Sequence, residues 1–144
     1  MLRFKKIILI TVSITQLSVK KKINEDILER SLSREDVSKI LGMVSYERAF
    51  YFYERVAKPN GEFAVSLSDF CSKIKTLSSE CLAFHLKRHD FQNWISEVIG
   101  DVELARRLNK IKVKDNVLRN TLYAFVSSRI RELKDAWSIL LVLQ

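Results

Sequence analysis

The alternating aromatic run from Ala49 to Val56, AFYFYERV, constrains the fold more than any other segment. Side chains of a strand alternate between its two faces, so the phenylalanines share one face and the tyrosines the other: Phe50 and Phe52 against Tyr51 and Tyr53. Residues 58–61, KPNG, provide turn chemistry because proline fixes φ and Asn-Gly tolerates positive φ. Residues 62–65 can form a return strand, so the sequence predicts a β-hairpin.

Apolar residues at helical spacing predict short helices on either side of this hairpin. The first covers residues 24–41 and stops at Gly42. Four further helices have Ser, Asp or both available as N-caps: Ser66 with Asp69, Ser78 or Ser79, Asp90, and Asp101. The alternating segment KIKVK at residues 110–114 predicts a short strand or a connector.

The C-terminal segment from Asp115 onward contains neither glycine nor proline and predicts one long helix. Its apolar residues follow the four-three spacing of a coiled-coil seam. One interpretation is an ordinary core helix of its own domain. The other is self-association, which the apolar end ILLVLQ favours because it is too hydrophobic to be left in water. The predicted dimer interface consists of Val126, Ile130, Leu133, Trp137 and Leu140.

The whole pattern predicts an α+β fold: a small antiparallel sheet with packed helices and a long C-terminal coiled-coil-like helix. Only three glycines and one proline in 144 residues exclude collagen-like and turn-rich all-β folds. Two cysteines cannot build a disulfide scaffold, and we interpret them as buried residues of a cytoplasmic protein. The predicted organisation is a basic N-terminal arm or strand (1–22), an α+β domain (23–112) and a dimerisation helix (113–144).

The formal net charge of +8 is unevenly distributed along the chain. Residues 1–22 contain six basic and no acidic residues, whereas residues 23–103 contain ten basic and fourteen acidic ones. Residues 104–144 contain nine basic and three acidic residues. Any electrostatic attraction to nucleic acid must therefore come from the two ends of the chain.

The N-terminal residues have a basic start and an apolar stretch, as a signal peptide does. The stretch is too short for a membrane helix, several polar residues interrupt it, and no small-residue cleavage site follows. Residues 8–15 alternate in β-branched side chains, which favours a strand or an ordered arm. An arm outside the main fold is a third interpretation. We expect no membrane partner.

No residue pattern indicates catalysis, a metal or a cofactor. His85 and His89 are four residues apart, but no cysteine or carboxylate pair at metal spacing accompanies them. Cys81 and His85 could form a dyad, yet no orienting group is evident. We therefore predict a protein that is not an enzyme and has no small-molecule substrate.

The chemistry left to explain is a polar binding surface. Aromatic rings on a sheet beside cations bind single-stranded nucleic acid, because bases stack on the rings and phosphates pair with the cations. We predict binding of single-stranded DNA or RNA by two groups of residues: Tyr51, Tyr53, Arg55, Lys58 and Arg88, and the basic segment with Arg106, Arg107, Lys110, Lys112 and Lys114. The alternatives are that a helix covers both tyrosines, and that the chain is a protein-interaction or scaffold module without nucleic-acid binding.

Residues 50–108 also carry a resemblance to known proteins. The matching elements are FYFY at 50–53, SLSDF at 66–70, FHLKRHDFQNW at 84–94 and GDVELARRL at 100–108. They resemble a family of small archaeal domains of uncharacterised function. The set His85, Arg88, Phe91 and Trp94 recurs in otherwise unrelated proteins, and this recurrence implies a helical packing module rather than a catalytic signature.

The layout of hairpin, helices, basic segment and zipper-like terminal helix is similar to that of the ThermoDBP proteins. These are thermophilic archaeal single-stranded-DNA-binding proteins with a small α+β domain and a C-terminal leucine-zipper helix. The similarity implies a DNA-binding homodimer from a thermophilic archaeon.

Overall fold

The computed structural model describes residues 15–18, 32–112 and 117–143. The chain divides into two compact units, Met1–Ser33 and Arg34–Gln144. In the first unit the described residues include one helical turn at 15–18. The strand predicted over residues 8–15 lies outside the described residues except for Thr15, which begins this turn. Residues 24–31 of the first predicted helix and residues 113–116 also lie outside them.

Secondary structure in the second unit is mostly helical, and a two-stranded antiparallel sheet follows the first helix. The elements in order are α1 (Arg34–Leu41), a 3₁₀ turn (Tyr46–Arg48), β1 (Phe50–Arg55), β2 (Lys58–Ala64), α2 (Leu67–Ile74), α3 (Ser79–Lys87), α4 (Asp90–Trp94), a π-helical turn (Ile95–Ile99), α5 (Val102–Leu108) and α6 (Leu118–Val142). This arrangement confirms the predicted α+β class with a long C-terminal helix.

The hairpin forms as predicted, but its turn was placed wrongly. Arg55 pairs with Lys58, so the two-residue turn is Val56-Ala57, and Ala57 has a left-handed φ of 57°. Pro59-Asn60-Gly61 belongs to β2, where register shifts mark an irregular ladder. The turn chemistry is used inside the strand: Gly61 has φ 82°, and Asn60 Oδ1 accepts the Glu62 N–H at 2.9 Å.

Aromatic side chains from the inner face of β1 form the centre of the core. Phe52, Phe70 and Phe91 are fully buried, and Phe50 lies 5.1 Å from Phe91 and 5.6 Å from Trp94 between ring centroids. Burying each phenylalanine side chain contributes about 1.5–3 kcal/mol. This cluster joins the hairpin to α2 and α4 and leaves the outer face of β1 available.

The short helices begin where side-chain caps satisfy their first N–H groups. Ser66, Ser78 and Asp101 accept N–H groups three residues ahead, at 3.0–3.1 Å, as their sequence positions predicted. The cap predicted at Asp90 is wrong. His89 occupies that N-cap position in a left-handed conformation, and the Asp90 carboxylate bonds to side chains instead.

Helix α6 is the support on which α1, α2, α3 and α5 pack. Of the predicted dimer-interface residues, Val126, Ile130 and Leu133 are buried within the chain, while Trp137 and Leu140 are half-buried. The guanidinium of Arg34 lies over the Trp137 ring at 5.1 Å. The seam therefore packs on its own domain, at least to Leu133, and dimerisation stays a prediction. No helix in the described ranges has the length and apolarity to cross a membrane.

Candidate nucleic-acid interface

A groove of about 450 Å³ lies beside β1, where the hairpin meets α3 and α4. It is open to solvent, and aromatic side chains make up much of its wall. The residues that line it are Phe50, Tyr51, Tyr53, Arg55, Val56, Ala57, Phe84, His85, Arg88, Asp90, Asn93 and Trp94. Four of the predicted nucleic-acid-binding residues are among them, brought together from β1 and from the C-terminal end of α3.

The two tyrosines of β1 are exposed and held in place. Tyr51 is 48% exposed, and its hydroxyl donates to the Tyr46 carbonyl at 2.8 Å. Tyr53 is 36% exposed and meets the His85 ring edge to face, with 6.3 Å between centroids. No helix among the described residues covers them, and both are exposed, so the interpretation in which both tyrosines are buried is wrong. The Tyr51 ring also contacts the Phe63 ring, with 5.7 Å between centroids, and the exposed part of each tyrosine is open to a planar ligand.

A hydrogen-bond chain fixes the floor of the groove. His85 is buried, and its Nε2 accepts the backbone N–H of Tyr53 at 2.8 Å. The proton is therefore on Nδ1, which donates to Asp90 Oδ2 at 2.8 Å. Burial lowers the pKa of His85, although the neighbouring Asp90 opposes this shift. These hydrogen bonds tie β1 to the start of α4 and keep the imidazole neutral.

Arginine side chains supply the positive charge of the groove. Arg88 stacks on Phe84 at 5.0 Å and donates from Nε to Asp90 at 3.0 Å, so one edge of its guanidinium remains for a ligand. Arg55 is exposed at the end of β1. Asp90 offsets part of this charge, and the local field is modest rather than strongly positive.

The other predicted binding residues lie elsewhere. Lys58 is exposed beside Arg55 but does not line the groove. Lys110 and Lys112 are exposed after α5, and Lys114 lies outside the described residues. Arg106 lines a neighbouring groove that shares Asn93 with the first.

Arg107 belongs to an ion-pair network rather than to a surface patch. It donates to Glu132 on α6 at 2.7 and 2.9 Å and to Glu103 at 2.9 Å, and Glu103 also binds Arg106. These carboxylates neutralise much of the charge that the sequence placed there.

Sequence reasoning did not assign eight of the twelve lining residues to the binding surface, among them Phe84, Asn93 and Trp94. The sequence predicted Trp94 as part of a helical packing module, and its ring is buried, with Nε1 donating to the Arg48 carbonyl at 2.8 Å. Asn93 is exposed between buried neighbours. Its position directly before Trp94 on a short helix was the signal that could have identified it.

The groove contains no reactive nucleophile or metal cluster within the described ranges. Burial, reinforced by Glu54, raises the pKa of Cys81 to about 11, so its thiol stays protonated. The described residues include no group of three or more His, Cys, Asp or Glu placed to hold a metal.

Comparison with protein families shows where this architecture belongs. Residues 8–127 match a family of unknown function, DUF5752. The chain belongs to the DUF5752 family. The match includes the hairpin, the groove and the first part of α6, and it confirms the resemblance to an uncharacterised domain family. No curated protein and no solved structure matches the chain significantly.

Proposed function

We propose that this DUF5752 protein binds single-stranded nucleic acid in the groove beside β1, without catalysis. The observation that supports this most is the convergence of two exposed tyrosines and two arginines on one aromatic groove. Its volume of about 450 Å³ is in the range of sites for a single small ligand unit, such as one nucleotide.

Stacking would supply most of the affinity. Tyr51 and Tyr53 are already held by the Tyr46 carbonyl and by His85, so little side-chain entropy is lost on binding. A base stacked on such a ring contributes about 1–3 kcal/mol to binding, and any of the bases can stack there because each has a π-face. Phosphates would meet the exposed edge of Arg88 and the Arg55 side chain.

The absence of catalysis is part of the proposal and follows from the hydrogen bonds of His85. A histidine beside an aspartate could serve as a general base, but the Nε2 lone pair of His85 is taken by the Tyr53 N–H. The pair positions β1 and would not accept a proton from a ligand.

The dimeric layout and the cellular location are proposed from more general features of the chain. The layout resembles that of the archaeal ThermoDBP proteins, which combine a small α+β domain with a dimerising terminal helix. Cys71 and Cys81 are both free thiols, which fits a reducing compartment such as the cytoplasm.

The stacking test is fluorescence anisotropy with labelled oligothymidylate and the Tyr53→Ala variant. Loss of one stacking ring should weaken binding by about 5- to 150-fold. Tyr46→Ala is the matched control, because Tyr46 is exposed outside the groove and binds Tyr51 only through its backbone carbonyl. Equal affinity of the Tyr53 variant and the wild type would contradict the stacking proposal.

The phosphate test measures how affinity depends on salt. Each lysine or arginine that meets a phosphate adds about 1 to the slope of log affinity against log salt. We expect Arg55→Ala to reduce that slope by about 1 and Lys134→Ala, an exposed cation on α6, to leave it unchanged. A slope equally insensitive to both changes would remove Arg55 from the site.

A second proposal, self-association through the end of α6, rests on apolar residues that no described part of the chain covers. Ile139, Val142 and Leu143 are at least 61% exposed and lie at helical spacing on one face. We expect a homodimer, or alternatively a partner protein, to cover them. Light scattering should show a dimer for the wild type and a monomer for Ile139→Glu with Val142→Glu. A wild-type monomer would contradict the dimer.

A further inference from the structure

A second groove, of about 500 Å³, lies between α4 and α5 and adjoins the first. Asn93 lines both grooves, so the side chain that ends one begins the other. A ligand longer than one nucleotide would pass over Asn93 from the tyrosines toward α5. Its lining combines the polar side chains of His89, Ser96 and Asn109 with the apolar Val102 and Ala105.

Gln92 on the wall of this groove has a buried hydrogen-bond acceptor without a partner among the described residues. The side chain is only 4% exposed and lines the groove. In the part of the chain that the structure describes, its Oε1 has no hydrogen-bond partner. A buried unpaired acceptor destabilises a fold and calls for an explanation. The last torsion of a glutamine is soft, so the amide can turn its oxygen toward a donor in the groove.

The other groups of the groove suit a nucleotide. His89 has its ring oriented by a contact between Nδ1 and Asn109 Oδ1 at 3.2 Å. On the α5 side, Arg106 has a side chain that is 55% exposed, although Glu103 binds two of its nitrogens. Every nucleobase presents at least one N–H on its pairing edge, which is the donor that Gln92 lacks. Arg106 can meet the adjoining phosphate.

We infer that the groove between α4 and α5 is a second nucleotide subsite, in which Gln92 accepts an N–H from the base and Arg106 contacts the phosphate. This inference rests on the proposed function and extends it. The protein then binds a strand of at least two nucleotides, which runs from Tyr53 across Asn93 to Arg106. Affinity should rise with chain length until both grooves are filled.

The test combines stability and binding measurements on Gln92→Met, which keeps the length of the side chain and removes the unpaired oxygen. Thermal unfolding should show the variant to be at least as stable as the wild type, because a buried unsatisfied acceptor is gone. Calorimetric titration with thymidine monophosphate should be unchanged. Titration with longer oligothymidylates should show about fivefold weaker binding than the wild type.

Arg106→Ala should reproduce the length-dependent loss, and Lys134→Ala should not. If wild-type affinity does not increase beyond one nucleotide, or if both groove variants bind long strands like the wild type, the second subsite is overturned while binding in the first groove stands. If the wild type binds no oligothymidylate at all, both the proposed function and this inference fail. Loss of binding to thymidine monophosphate in Gln92→Met would overturn the separate subsite, because Gln92 would then act on the first groove.

Discussion

The hairpin groove and the basic C-terminal segment, residues 104–144, both contain arginines, but these arginines have different partners. At the groove, Arg55 is exposed and Arg88 keeps one edge of its guanidinium open. In the C-terminal segment, Arg107 and Arg129 are held between carboxylates. The groove has fewer cations, and both of them line the surface that a ligand would meet.

The comparison shows that a count of basic residues does not measure the charge available for binding. Arg129 donates two hydrogen bonds to the buried carboxylate of Asp101, and Arg119 donates to the carbonyls of Ile74 and Leu77 at the end of α2. Together with Arg107 these side chains fasten α6 to the rest of the unit. Three of the nine basic residues in 104–144 are therefore used inside the fold, whereas Lys110, Lys112, Arg131 and Lys134 are exposed.

The largest loss of stability should come from Arg129→Ala, which removes an ion pair that holds α6 in the C-terminal region. The Arg129 side chain is 10% exposed and that of Asp101 is 1%, so the change leaves a buried carboxylate without its cation. Removing one partner of a buried pair costs about 3–5 kcal/mol. We expect that loss in the free energy of unfolding by urea titration.

Arg131→Ala is the control, because Arg131 is exposed on the same helix; it should change stability by no more than about 0.5 kcal/mol. Adding Asp101→Asn to Arg129→Ala should recover part of the loss, since asparagine also caps a helix and has no charge. If both single arginine variants unfold alike, Arg129 is not the residue that fastens α6.

An effect of intermediate size should distinguish the two regions by the pH at which each loses its contribution to stability. Burial lowers the pKa of His85 below the ordinary 6.5, so the unfolded chain binds this proton at a higher pH than the folded one. The resulting stability is complete above about pH 6.5 and is lost as the pH falls. Arg106 and Arg107 lower the pKa of Glu103 to about 2, so its contribution is lost only below about pH 4.5. Mild acid should therefore weaken the groove before the ion-pair network.

The measurement is urea unfolding at about pH 7.5 and about pH 5.5. His85→Gln should be less stable than the wild type by about 1–3 kcal/mol at the higher pH, because the imidazole that bonds Tyr53 and Asp90 is lost. It should also lose less stability on acidification. His89→Gln, at an exposed histidine, should follow the wild type. A wild-type stability that rises between these two pH values as acid is added would contradict the sign.

Local chemistry accounts for what the sequence predicted well in the fold. Ser66, Ser78 and Asp101 cap helices through bonds that span three residues, so neighbouring residues were sufficient to place them. The position of the hairpin turn was predicted wrongly because Asn60-Gly61 is equally suited to a turn and to a bulge. The ladder with β1, which local sequence does not show, selects the bulge.

The candidate site was predictable in the same uneven way. Strand alternation placed Tyr51 and Tyr53 on one exposed face, and the groove brings them together with Arg55 and Arg88. The partner of Arg107 could not be predicted, because Glu132 is 25 residues away and meets it only when α5 packs on α6. The acceptor left unpaired on Gln92 is also a property of packing alone.

The smallest effect should come from the turn that borders the groove. Ala57 holds a left-handed conformation with φ 57°, which costs an L-residue about 1–2 kcal/mol, whereas glycine adopts it readily. After the greater chain entropy of glycine is counted, Ala57→Gly should stabilise the fold by up to about 1 kcal/mol. Ala83→Gly, within α3, should have the opposite sign and cost about 1 kcal/mol.

Chemical unfolding of both variants checks the pair, and a loss of stability in Ala57→Gly equal to that in Ala83→Gly would mean that the turn is not left-handed at Ala57. Because Ala57 lines the groove but is not among the proposed stacking or phosphate-binding residues, oligonucleotide affinity should stay within about twofold of the wild type.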